Sequence, residues 1–220
     1  MSLTPPNGNK LVTSCIKKVS GQDIIGPILC KYSLYTSLLC DKSHINSLIL
    51  LEWLENAGLI YRARATGSAK SPLSHYADKA CFKIYALDVG LLGAMSRSPV
   101  ELLSLGDRIF NEYDGAFVEN FAAQQLIAHF GQPVLYWRSK GGKAELDFLC
   151  DFSGRMYPLE VKAGINPRSK SLRSYNMQFS PSVLARATLL NLKKDGKILN
   201  LPLYALSLLP DMVSLHSTNL

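Results

Sequence analysis

A chain of 220 residues, 47% apolar and 19% charged, has enough material for one large core or two small ones and reads as soluble and globular rather than disordered. No apolar run reaches the roughly eighteen residues of a membrane span, and the N-terminal Met-Ser-Leu-Thr-Pro-Pro-Asn-Gly lacks the basic and apolar regions of a secretory signal, so a cytoplasmic location is expected. Five scattered cysteines without a Cys-x-x-Cys pair, and four histidines without ligand spacing, point away from a disulfide scaffold or structural zinc. The net charge is +7, and eight Lys or Arg against two Asp follow Glu160, so most of the excess lies in the last quarter of the chain. That placement suits a polyanion such as nucleic acid, and equally a solvated basic face.

In chain order, Ser43 to Ala57 has the clearest helical signal. Ser43 or Ser47 stands at the cap, Ile45, Leu48, Leu51, Trp53 and Leu54 form an apolar stripe, and Gly58 stops it. Two strand-like runs follow, from Leu59 and from Phe82, on either side of a Gly/Ser/Pro-rich loop. Helices running into a hairpin suggest a small winged-helix-like α+β domain over residues 10–100, or a packing module without DNA contact. Glu52 and Glu55 make its last helix acidic, which argues against direct base reading.

A polar connector over 102–114 leads into a predicted helix over 115–130, with Phe117, Phe121, Leu126 and Phe130 expected to face inward and Gly131 ending it. Predicted strands follow at Val134 to Arg138, Ala144 to Asp151 and Met156 to Ala163, joined by Lys140-Gly-Gly-Lys and the tight Phe152-Ser-Gly-Arg connection. A helix is expected over Lys170 to Gln178, then strands near Ala187 to Leu192 and Leu201 to Leu206. This second unit, residues 101–220, carries the chemistry.

Side chains alternate across a strand, so Glu160 and Lys162 project together, opposite Leu159, Val161 and Ala163. Glu145, Asp147 and Asp151 share one parity on the preceding strand, opposite Leu146, Phe148 and Cys150. Antiparallel pairing of the two strands would make Asp147 and Glu160 neighbours. Two such carboxylates repel unless a cation joins them, and oxygen ligands suit Mg²⁺ or Mn²⁺. Lys162 would stand beside that ion, able to position water or stabilise a phosphate oxygen, and Glu119 would complete the shell from its helix. Glu160-Val-Lys162 is the only Glu-x-Lys triplet among seven glutamates. A solvent-facing hairpin of alternating charge explains Glu160 and Lys162 as well, but explains less readily an Asp147 in an apolar strand.

Gly115-Ala-Phe-Val-Glu-Asn, Tyr136-Trp-Arg-Ser-Lys-Gly-Gly-Lys-Ala-Glu-Leu-Asp-Phe and Pro158-Leu-Glu-Val-Lys-Ala-Gly together resemble the domain-of-unknown-function 4143 family, as does Phe82-Lys-Ile-Tyr-Ala-Leu-Asp-Val-Gly-Leu-Leu-Gly. That family forms the C-terminal region of a group of prokaryotic AAA-type ATPases and resembles the PD-(D/E)xK nuclease superfamily. The resemblance runs from about residue 20 to residue 210. It implies a restriction-endonuclease-like α/β core, a mixed sheet flanked by helices, with Glu119, Asp147, Glu160 and Lys162 at the catalytic positions. Glu119, Asp147 and Glu160 would hold Mg²⁺ or Mn²⁺, while Arg138, Lys170 and Arg173 would contact nucleic acid, DNA by expectation. Leu146 stands where the superfamily has Pro, and no Gly-x-x-x-x-Gly-Lys-Ser/Thr phosphate loop occurs, so any ATPase domain is missing from these residues. A metal-dependent nuclease is therefore expected, with a non-catalytic DNA- or partner-binding module as the alternative.

Overall fold

The computed structural model describes residues 32–33, 49, 51–95, 115–131, 134–163 and 169–217. They form a mixed α/β arrangement around one nine-stranded sheet. The strands are β1 (Tyr32–Ser33), β2 (Ile60–Thr66), β3 (Ala77–Ala86), β4 (Leu135–Trp137), β5 (Phe148–Phe152), β6 (Arg155–Val161), β7 (Leu184–Thr188), β8 (Lys193–Asp195) and β9 (Ile198–Pro202). Their order across the sheet is β1-β3-β2-β4-β5-β6-β7-β9-β8. No helix among the described residues is long and apolar enough to cross a membrane.

The centre of the sheet is an antiparallel meander, β4 to β5 to β6, followed by a crossover through the Lys170–Phe179 helix to β7, which runs parallel to β6. Phe152 pairs with Arg155, so Ser153 and Gly154 alone turn the β5–β6 hairpin, both with positive φ (53° and 80°). That is the backbone a two-residue hairpin turn demands. Asp151 braces it by accepting the Gly154 amide at 3.0 Å.

The two faces of the sheet are covered differently. On one, Tyr136, Phe148, Tyr157, Leu159 and Val161 meet the Ala116–Phe130 helix and the C-terminal segment carrying Leu203, Leu206, Leu209 and Val213. On the other, Leu135, Trp137, Leu146 and Leu149 meet Leu172 and Tyr175 of the Lys170–Phe179 helix. Trp137 stands edge-on to Tyr175 at 5.2 Å, a packing worth about 0.5–1.5 kcal/mol beyond the buried area.

Strands β1, β2 and β3 of the first half belong to this same sheet. β2 and β3 make the expected antiparallel hairpin, but β2 also pairs parallel with β4, Ala65 opposite Tyr136. Ala63 and Ala65 are buried in the same core as the Ala116–Phe130 helix. The domain boundary expected near residue 100 lies outside the described residues, as do residues 43–48 of the first predicted helix. Within 51–56 that helix packs Leu51 and Leu54 against Ile60, Phe82 and Ile84 and leaves Trp53 exposed.

The Ala116–Phe130 helix forms where expected, but its inward face differs. Val118, Ala122, Ala123 and Leu126 are buried, Phe117 and Phe121 are half-buried, and Phe130 is exposed. Small side chains let the helix lie close to the sheet, and the bulky rings fall at its margin, Phe130 against Phe152 at 5.2 Å. The last two strands start earlier than expected, at Leu184 and Ile198, and β8 and the Leu209–Ser217 helix were not expected at all.

Candidate functional site: a carboxylate cluster around two lysines

The third strand of the meander places its side chains as the alternation requires. Leu159 and Val161 enter the core, Glu160 (4% exposed) faces the other way, and Lys162 follows at the strand end, half-buried, with its ammonium on Glu160 Oε1 at 2.5 Å. Glu160 Oε2 is buried without a hydrogen-bond partner.

The second strand departs from simple alternation at one residue. Leu146 belongs to one core and Phe148 to the other, although they are two apart, because the chain bends at Asp147 before β5 begins. Phe148 is opposite Leu159, so the register carried one step further sets Asp147 opposite Glu160. Asp147 Oδ2 accepts the Val161 amide at 2.7 Å, which fixes its carboxyl across the mouth of the hairpin.

At the centre of the cluster stands Lys83 of β3. Its ammonium lies 2.9 Å from Glu119 Oε1, 3.1 Å from Glu145 Oε1 and 3.8 Å from Asp147 Oδ1, and the residue is 3% exposed. The Tyr136 ring lies 4.9 Å from the same nitrogen, adding a cation–π contact. Tyr85, two residues along β3 on the same face, donates to Glu119 Oε1 at 2.7 Å. The next helix residue, Asn120, binds both the amide and the carbonyl of Ala86, at 2.8 and 3.2 Å. The helix is thus docked on β3 by two adjacent polar side chains.

The electrostatics follow from burial and crowding. Burial alone would lower the pKa of Lys83, but the carboxylates of Glu119, Asp147 and Glu145 outweigh it and hold the ammonium above its ordinary value. Burial, and then the charge of Glu119, raises the Tyr85 phenol, which stays protonated as a donor. The Asp147 carboxyl is pushed up to about 7 by burial and by the carboxylates of Glu119 and Glu160, against the pull of Lys83 and the Val161 amide. Asp147 therefore holds its proton more tightly than an ordinary carboxyl, even with the Lys83 ammonium 3.8 Å away.

All four residues expected at catalytic positions gather here, Glu119 and Asp147 through their shared contact with Lys83, and Glu160 and Lys162 beside Asp147. Among the described residues no three His, Cys, Asp or Glu side chains form a group set to hold a metal ion. Of the residues expected to contact nucleic acid, Lys170 and Arg173 are exposed on the first turn of their helix, whose N-cap Ser169 accepts the Leu172 amide at 3.1 Å. Arg138 is half-buried: its guanidinium lies on Cys81 Sγ and over Gly142, where a Cβ would come within 2.8 Å of Nη2. Lys83, Tyr85 and Glu145 carry the cluster without having been assigned a part from the sequence. A lone Lys at the parity of Tyr85 in the apolar run Phe82-Lys-Ile-Tyr-Ala was the available signal.

A cavity of about 250 Å³ at the other end of β5, lined among others by Leu73, Leu126, Phe130 and Cys150, shares no residue with the cluster.

Residues 114–205 match the family described as Domain of unknown function (DUF4143). The uncharacterized proteins Mb2031c of Mycobacterium bovis and Rv2008c of Mycobacterium tuberculosis are each 39% identical to this chain over 97 residues, covering 42% of it. The matched stretch spans only a fifth (20%) of the length of either relative. No solved structure gives a significant match.

Proposed function

We propose that this chain carries a metal-dependent phosphodiester-hydrolysing site acting on DNA, in a restriction-endonuclease-like core. The observation that carries the reading is the placement of Asp147 and Glu160-Val-Lys162 at one end of paired strands, tied by the bond from the Val161 amide to Asp147. The element order agrees with it: helix, three-strand meander, helix, and a strand parallel to the third. The β2–β3 hairpin and the helix before it would be the winged-helix-like part of the same reading, and the natural context would be the C-terminal region of an AAA-type ATPase.

The donor set fits Mg²⁺ or Mn²⁺. The buried Glu160 Oε2 has no hydrogen-bond partner, and the register sets Asp147 opposite Glu160. Glu119 Oε1 is committed to Lys83 and Tyr85, which makes Asp147 and Glu160 the primary ligands and leaves Glu119 to contribute through Oε2. A bound divalent ion would supply charge neutralisation at a phosphate and a water of lowered pKa. Lys162 reaches solvent beside Glu160 and presents an ammonium to a phosphate oxygen. Lys170 and Arg173 hold the strand backbone, which makes binding salt-sensitive and largely independent of sequence.

One observation favours a second reading. Lys83 already pairs with three carboxylates from within, as in a stable non-catalytic fold that serves as a DNA- or partner-binding module. Incubating plasmid and single-stranded DNA with the chain and Mg²⁺ or Mn²⁺ separates the two. The hydrolytic reading expects nicking, reduced at least about 100-fold in Asp147→Ala and Lys162→Ala while DNA retention persists. Absence of cutting with either metal on either substrate would sink it, and a salt-sensitive shift without cutting would establish the module.

A further inference from the structure

Four carboxylates, those of Glu119, Glu145, Asp147 and Glu160, share this region with two lysines in ion-pair contact. The two lysines differ in kind. Lys162 is about one-third exposed and pairs with a single oxygen, whereas Lys83 is sealed off and touches carboxylates from three separate places: the Ala116–Phe130 helix, the bridge partner of Arg138, and the bend before β5. An ammonium contacting three carboxylates from three segments does what an oxygen-ligated cation does, without any hydration shell to exchange. The ammonium fills the space between these three carboxylates, so a divalent ion cannot occupy that same position. Away from Lys83 the cluster keeps one unsatisfied oxygen, Glu160 Oε2, on a side chain 4% exposed.

We propose that Lys83 is a resident cation that takes the place of a second divalent ion, so that the site accepts a single ion, held by Asp147 and Glu160. This rests on the metal-dependent reading above and assigns Lys83 as a positioning residue: it orders Glu119, Glu145 and Asp147 and touches no substrate. The assignment also makes the site composite, since its fixed charge arrives on β3, upstream of the segment that bears the carboxylates.

Mn²⁺ binding to the metal-free full chain, counted by electron paramagnetic resonance, tests it, with melting temperature measured alongside. The wild type should bind one Mn²⁺ per chain, lost in Asp147→Asn. Lys83→Met should bind two, and the rise in melting temperature produced by Mn²⁺ should at least double relative to the wild type, because the ion then replaces the missing ammonium. Lys83→Gln, which keeps much of the reach and a hydrogen bond to Glu119, serves for the same count if the Met variant does not fold. Two ions in the wild type, or a folded Lys83 variant that still binds one, would overturn the assignment while leaving the metal-dependent reading intact. No Mn²⁺ bound by the wild type at millimolar concentration would overturn both.

Discussion

Lys83 and Lys162 make similar contacts, an ammonium on a carboxylate, yet they belong to different physical regimes. Lys83 is 3% exposed and its removal strands three partly or wholly buried carboxylates, while Lys162 has about a third of its side chain in water and pairs with one. A buried ion pair is costly to break from one side only, and less so where one partner stands at the surface and water can enter its place. The difference teaches which of two lysines builds the site and which is available to act in it.

The largest expected effect breaks the pair apart directly. Lys83→Ala should lose about 3–5 kcal/mol of unfolding free energy in urea titration, and Lys162→Ala, which leaves only the buried Glu160 without its ion pair, about 1–2 kcal/mol. Equal losses would erase the distinction. Next comes Asn120→Ala, which leaves both polar groups of Ala86 without their partner and should cost about 1–3 kcal/mol, loosening the helix that presents Glu119 to Lys83.

The Asp147 carboxyl sharpens the comparison through pH. Its folded pKa of about 7 lies above the ordinary 3.8, so between those values the folded chain keeps a proton that the unfolded chain has released. Stability therefore falls as pH rises through this window, and the cost is complete above it. Asp147→Asn should be more stable than the wild type at pH 8, by about 1–2 kcal/mol or roughly 2–8 °C in Tm, and the gain should vanish toward pH 4. A gain that does not depend on pH would mean that it does not come from ionisation of the Asp147 carboxyl. The smallest effect on stability belongs to the basic helix: Lys170→Ala with Arg173→Ala should change unfolding by less than about 0.5 kcal/mol per site. In DNA retention measured against salt, the same double variant should flatten the log–log slope by about 2.

Much of the arrangement was legible in the chain. The strict alternation Leu159-Glu160-Val161-Lys162 and the two-residue Ser153-Gly154 turn determine the hairpin, its register and the neighbouring of Asp147 and Glu160. The bend at Asp147 was not, because Leu146 and Phe148 are both apolar and either face accepts them. The docking face of the Ala116–Phe130 helix was misread because large rings suggest burial, while close approach to a sheet is made by Val118, Ala122 and Ala123. Lys83 escaped for a related reason. A strand that is apolar on both faces carries no periodic signal to mark one polar residue as special, and its partners lie 36 to 64 residues away in the chain. The contact of Arg138 with Cys81 depends on a glycine four residues later leaving room for its guanidinium, a matter of shape rather than composition.

The parallel pairing of β2 with β4 has a practical consequence for anyone trimming the gene. The family match starts at residue 114, so a fragment cut to those limits would discard β2, β3 and Lys83 together. It would expose Leu135, Tyr136 and Trp137 along a bare backbone edge of β4 and leave Glu119, Glu145 and Asp147 without their counter-charge. Open apolar edges recruit other chains, so such a truncation should aggregate on expression, and any lack of activity in it would report a missing strand rather than a missing chemistry.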